Sequence, residues 1–258
     1  MKYCYIVSEG IQDVEFISRI FKNYGFKRLP KLSSVNDFWT PLIPTSFPKN
    51  DNLEQRVKVP RFLENNEISI AIQTAGGINS IAETIQEDAL ALKNDLSKSL
   101  FSIGVVLDAD SKNTPKTRFE QLVKEVKERN PELSLPENLQ EISGGLPKFG
   151  IFVMPDNNNQ GTLETILLEC AQKNYPHLYE LAREYIDDVN LGQLTKKDLE
   201  ELSKPAGKNK AIISSISSVL KPGRTLQVSI QDNHWLDEIT MDLDSLKGVK
   251  DFLDKLIT

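Results

Sequence analysis

Two cysteines in 258 residues, Cys4 and Cys170, are too few for a disulfide framework or a cysteine-rich zinc module. Both sit inside apolar patterns, which marks them as packing residues and not nucleophiles. Histidine is equally scarce. His177 and His234 have no partner at metal-ligand spacing and are expected on the surface. No apolar run approaches the roughly 20 residues that cross a bilayer, and the opening MKYCYIVSEG is too short a run for a secretory signal. A soluble, cytoplasmic protein without a membrane partner is expected. No GxxxxGK[ST] loop is present, so the chain cannot fire ATP by itself. Positive charge is in deficit, 31 Lys and Arg against 37 Asp and Glu, for a formal net charge of −6. That balance argues against broad coating of nucleic acid but leaves room for a small site where metal ions bring the positive charge. There is no internal repeat and no low-complexity tract.

What is present is an alternation of buried-strand and helix patterns, set on an ordinary globular composition of 39% hydrophobic and 26% charged residues. Residues 3–13, YCYIVSEGIQD, join a β-forming apolar run to a helical pattern through Ser8-Glu9-Gly10. Gly10 is expected to turn the chain sharply by taking a positive φ. Val14, Ile17, Ile20, Phe21 and Tyr24 follow at helical spacing, with Gly25 at the C-cap. Residues 27–67 read as an irregular insertion, broken by Pro30, Pro41, Pro44, Pro48 and Pro60, with one short strand at 56–59. Regular structure resumes with a strand at 68–73, closed by Gly76-Gly77, and a helix marked by Ile81, Ile85, Ala89 and Leu92.

Residues 101–110, FSIGVVLDAD, form another buried-strand run ending in Asp108-Ala109-Asp110. Thr114 and Pro115 open the next helix as N-cap and first helical residue. A strand at 150–154 ends at Pro155-Asp156-Asn157, and Gly161-Thr162-Leu163-Glu164 opens a helix through about Lys173. Beyond that point only helices are expected, around Leu178–Tyr185, Leu199–Leu202 (with TKKD as capping box), Ile212–Val219 and Leu246–Leu256. The pattern predicts an α/β fold with a central, mostly parallel sheet flanked by helices. Its expected division is a catalytic core over 1–175 and a helical extension over 176–258.

Carboxylates at the carboxyl ends of parallel strands face the crevice where open α/β sheets bind ligands. Glu9, Asp108 and Asp110 brought to one edge would repel one another unless a divalent cation lay between them. Each residue also has a plainer reading. Asp13 and Glu164 are ordinary first-turn acids favoured by the helix dipole, and Asp108 and Asp110 can serve as turn and cap residues. Lys208 and Lys210 can belong to a solvated face.

Taken in this order, Glu9-Gly10-x-x-Asp13 and Asp108-x-Asp110 resemble a Toprim domain, the catalytic fold of topoisomerases, DnaG-type primases and the OLD (overcoming lysogenization defect) nucleases. The resemblance is closest to the OLD branch and to stand-alone bacterial Toprim proteins of unassigned function. It implies metal ligation by Glu9, Asp13, Asp108, Asp110 and Glu164, and a catalytic lysine at Lys208 or Lys210. It implies one or two Mg²⁺ (or Mn²⁺) ions and phosphodiester hydrolysis on nucleic acid, DNA foremost. A separately encoded ABC-type ATPase is the implied partner, in phage defence or DNA repair. Two alternatives stand beside it. One is a non-catalytic Toprim-fold interaction module that docks a partner through the 27–67 insertion. The other is a HAD-like phosphatase with Asp108 as nucleophile, which would leave Glu9 without a purpose. Neither oligomeric state nor substrate form is encoded in any motif.

Overall fold

The computed structural model describes residues 1–48, 51, 53–54, 57–92, 100–110, 113–189 and 191–258. The chain divides into two compact units. The first comprises Met1–Leu107, Phe119–Phe152 and Phe252–Thr258; the second comprises Asp108–Arg118 and Val153–Asp251.

A six-stranded, mixed and mostly parallel sheet organises the first unit. Its centre is β1 (Lys2–Ser8), parallel on one side to β4 (Ile68–Thr74) and on the other to β5 (Leu100–Asp108). Beyond β4 lie β3 (Arg61–Glu64) and then β2 (Lys27–Arg28), both antiparallel to their neighbours. The sixth strand, β6 (Lys148–Met154), flanks β5. Strands β1, β4, β5 and β6 are apolar almost throughout and buried along nearly their whole length, as strands covered on both faces must be. Helix α1 (Ile11–Asn23) buries Val14, Phe16, Ile17, Ile20 and Phe21; α2 (Ile81–Leu92) buries Ile81, Ala82, Ile85 and Leu92.

The insertion is more ordered than its prolines suggest. The strand expected at 56–59 lies partly outside the described residues, since Arg56 is not among them, and 57–59 are not extended into the sheet. The strand starts instead just after Pro60, whose missing N–H bars it from the ladder. In β3, Phe62 and Leu63 are buried. A short 3₁₀ helix over Asp37–Leu42 then sinks Phe38 and Trp39 into the unit. Phe38 stacks on Tyr3 at 4.0 Å between ring centroids, and the Trp39 indole N–H donates to Ser69 Oγ at 2.9 Å. The buried Glu15 carboxylate of α1 pairs with Arg61 at 2.7 Å and Arg28 at 3.8 Å, tying β3 and β2 to the helix.

The second unit is helical. It contains α4 (Leu163–Asn174), α5 (Pro176–Asp188), α6 (Gly207–Leu220), the seven-residue α7 (Leu226–Asp232) and the start of α8 (Asp244–Ile257). Helix α3 (Pro115–Arg129) opens as expected, with Thr117 N–H donating to Thr114 Oγ1 at 3.1 Å. Trp235 is fully buried, its indole N–H on Ser229 Oγ at 2.8 Å and its ring edge-on to Tyr175. The helix expected at Leu199–Leu202 is a series of turns. Its capping bonds do form, with Thr195 N–H and Oγ1 both donating to Asp198 Oδ2. Leu199 and Leu202 are only half-buried, and a capped turn without a packed face does not propagate. Residues 226–232, with no strong periodicity, form the helix that pattern reading misses.

Two glycines inside strands let the last turns of α8 close on the sheet of the first unit. An added Cβ at Gly104 of β5 would run into Leu256 Cδ2, and one at Gly150 of β6 would come within 2.8 Å of Phe252 Cε2. Gly104→Ala is therefore expected to destabilise the protein by about 1–3 kcal/mol through overpacking. The readout is a lower urea midpoint at unchanged m-value; a variant as stable as the parent would show that Leu256 repacks freely.

Candidate functional site

In the first unit, β1 ends at the fully buried Ser8 and the chain turns through Glu9 and Gly10 into α1. Gly10 does not adopt the expected positive φ: at φ −123° and ψ 166° it is extended and serves as the N-cap. The turn is made by hydrogen bonds instead. Gly10 N–H donates to Asp13 Oδ2 at 2.7 Å, the reach-back half of a capping box. Glycine's conformational freedom is used across the sheet edge, at Gly76 (φ +79°) and Gly77 (φ +136°), where β4 ends. Both of their N–H groups donate to the Glu9 carbonyl at 3.0 Å, and Ala75 N–H donates to the Ser8 carbonyl at 2.8 Å. The ammonium of Lys58 caps the same turn on the Ala75 carbonyl.

The second unit holds the rest of the acidic set. Asp108 Oδ1 accepts the N–H of Leu163, the first residue of α4, at 2.9 Å. Asp110 takes a left-handed φ of +59°, which aspartate tolerates better than most residues, and its N–H donates to the Gly161 carbonyl at 3.0 Å. Its carboxylate is ion-paired with Arg118 of α3. Glu164 is buried, and its Oε2 accepts the Thr162 hydroxyl at 2.7 Å. Asp156, in the turn after β6, is held by Asn158 and Asn159. Burial pushes its pKa up, and hydrogen bonds from those two residues outweigh it and hold the carboxyl below its ordinary value.

The two candidate lysines part company in α6. Lys208 is half-exposed and paired with Asp187 of α5. Lys210 lines a cavity of about 560 Å³ together with Asp110, Arg118 and Lys204. The second unit thus gathers Asp108, Asp110, Glu164 and Lys210 around the start of α4, while Glu9 and Asp13 occupy the turn at the end of β1. The parallel register sets Ser8 opposite Val106, so β1 and β5 run out at the same, carboxyl edge of the sheet. Among the described residues no three His, Cys, Asp or Glu side chains converge as a ready-made cation cage. Their donors are nevertheless of the right kind. Carboxylate oxygens are hard ligands, and each carboxylate has about four lone-pair sites, so one protein hydrogen bond does not exhaust it.

Arg118 is the residue that sequence reading misses. It lies on the polar face of α3, eight positions after Asp110, where nothing in the pattern separates it from Lys116 or Lys124. The cysteines behave as packing residues. Burial pushes the Cys4 thiol up to about 11 and the Cys170 thiol up to about 12, so both stay protonated at neutral pH.

Asp13→Ala is expected to cost about 1–2 kcal/mol of stability by stranding the Gly10 N–H, and Asp13→Asn to recover most of it because the amide oxygen still accepts. Urea denaturation of the two variants measures this. Equal losses would show that the carboxylate's charge, not the cap, is what the position needs.

Comparison with known proteins follows the fold. The hypothetical protein PH0156 from Pyrococcus horikoshii OT3 has a similar solved structure, with a TM-score of 0.55 and 19% identity over 99% of this chain and 95% of that one. At that identity the likeness concerns the fold alone. No curated protein matches the chain. The model of one protein family, described as a protein of unknown function (DUF3226), matches residues 5–258. The match spans almost every residue, and the chain belongs to the DUF3226 family.

Proposed function

We propose that this protein is a divalent-metal-dependent phosphodiesterase acting on nucleic acid, in the manner of the OLD branch of Toprim nucleases that its motifs resemble. The observation that carries the reading is the strand register. Glu9 follows β1 and Asp108 ends β5, two adjacent parallel strands whose carboxyl ends lie at one edge of the sheet. Open α/β sheets place ligands at that edge.

In this reading Glu9, Asp13, Asp108, Asp110 and Glu164 are the candidate ligands of Mg²⁺ or Mn²⁺. A bound ion would supply a water made nucleophilic at neutral pH and a counter-charge for the leaving oxygen. The chain's own groups do the remaining work. The place of Lys210 in the cavity lining and the pairing of Lys208 with Asp187 favour Lys210 as the lysine that would hold phosphate charge. Asp108 ties the strand end to the first turn of α4 through Leu163 N–H, which fixes the direction of its carboxylate. The Gly76 and Gly77 amides fix the Glu9 backbone, so the carboxylate departs from a rigid turn. A DNA substrate, phage defence or repair, and an ATPase supplied by another chain belong to this proposal.

A second reading has its own support. Asp13 caps α1, Asp108 accepts from α4 and Asp110 is neutralised by Arg118, so these acids already have structural employment. That is what a non-catalytic interaction module would show.

Single Ala variants of Glu9, Asp108 and Asp110 separate the two. The nuclease reading expects wild type to cleave DNA with Mg²⁺ or Mn²⁺, and each variant to lose at least about 100-fold, the scale of removing a group that stabilises the transition state. Cleavage that survives all three substitutions, or that never depends on metal, would sink it. A melting series gives a separate expectation. Mn²⁺ should raise the wild-type melting temperature and leave Glu9→Ala unmoved, because only a ligand that binds the native state stabilises it.

A further inference from the structure

The cavity in the second unit is lined by three cations, Arg118, Lys204 and Lys210, and by one carboxylate, Asp110, among the described residues. Their charges are unequally met. Arg118 is paired with Asp110, and Lys204 with Glu201, which does not line the cavity. Lys210 is in no ion pair among the described residues. The cavity therefore carries an unanswered positive charge. It also receives the opening turn of the 14-residue α6, through Ala206 and Asn209. That turn has no side-chain cap and no acidic residue, so the positive end of the helix dipole adds to the cations.

We propose that this cavity binds a phosphomonoester, and that Arg118 exchanges Asp110 for the phosphate when it does. Three features select this ligand. A volume of about 560 Å³ accommodates a group of mononucleotide size. The planar Arg118 guanidinium and the Lys210 ammonium match a doubly charged phosphate by charge and by hydrogen-bond geometry. Among the described residues no aromatic side chain lines the cavity, so they offer a base nothing to stack on. Recognition is of the phosphate, whether on a free nucleotide or at the end of a strand.

The exchange couples two sites. With Arg118 on Asp110, that carboxylate is occupied; once the phosphate draws the guanidinium away, Asp110 is released to a cation. Anion and cation then tighten one another by the same factor, as linkage requires. This coupling rests on the metal reading proposed above, whereas the anion site stands without it.

Titration calorimetry of the full chain tests both parts. In EDTA, AMP is expected to bind and adenosine not to. Lys210→Gln should weaken AMP about tenfold or more, the scale of one charged hydrogen bond. Arg118→Gln should weaken AMP and abolish the tightening of Mn²⁺ by AMP, while Arg118→Lys should retain part of the AMP affinity and so exclude misfolding as the cause. Equal binding of AMP and adenosine, or an unaltered AMP affinity in Lys210→Gln, overturns the anion site. Mn²⁺ affinity independent of AMP in wild type overturns the exchange. Tighter binding of a 5′-phosphorylated oligodeoxynucleotide than of its 5′-hydroxyl twin supports the site with a strand end as the source. AMP binding without that preference supports it with a free nucleotide. AMP binding in a protein that never cleaves DNA would fault the nuclease reading alone, and cleavage without AMP binding would fault this inference alone.

Discussion

Parallel pairing of β1 with β4 on one side and β5 on the other decides where the chain leaves β1 at the carboxyl edge of the sheet. A parallel neighbour fixes register through evenly spaced, slanted hydrogen bonds, and a slip of one residue would exchange the side chains that β1 presents to its two buried faces. With Ser8 held opposite Thr74 and Val106, the chain has no freedom in where Glu9 departs. The Gly76-Gly77 turn adds a second clamp on the Glu9 carbonyl. Burial of the central strands thus becomes positional accuracy at the sheet edge. That is the property a metal or phosphate site needs, and the family's unassigned function leaves open how it is used.

The second unit answers the first with a different economy of charge. Its acids are each tied to a backbone donor, a hydroxyl or a guanidinium, so no bare carboxylate cluster needs to be tolerated in the absence of a ligand. Such partners keep like charges from repelling one another while preserving their hard oxygen character. Capping and ligation are not exclusive roles, since the hydrogen bond that caps a helix also fixes the direction of the second oxygen. Arg118 pairs at the cavity with a candidate ligand, Asp110.

How much of this could be read in advance follows from burial. Strands β1, β4, β5 and β6 are legible because both faces are covered, leaving unbroken apolar runs between turn residues. Strands β2 and β3 are not, because Lys27 and Arg28 are exposed and the pairing is decided by β4, a partner that local sequence does not display. Phe38 and Trp39 look like stray aromatics until the 3₁₀ turn rolls them against Tyr3. The acidic residues of the site are identifiable by type and strand position. Their caps are not distinguishable from ligands, since Asp and Glu are favoured at helix starts for either purpose. Lys210 is separated from Lys208 only by α6, which sends residues two apart to different faces. Gly10 is the misleading residue, conspicuous in sequence yet extended in the fold.

The route of the chain has a consequence for how it is made. The first unit is assembled from residues 1–107, 119–152 and 252–258, and its strands keep glycines at 104 and 150 to receive Leu256 and Phe252. Those side chains leave the ribosome only after the whole of the second unit has been translated. Vectorial, amino-terminus-first maturation is therefore denied to the sheet. Its apolar face must wait for the final helical turn, and a nascent chain stalled shortly before that point would present an unsealed surface to the chaperones around it.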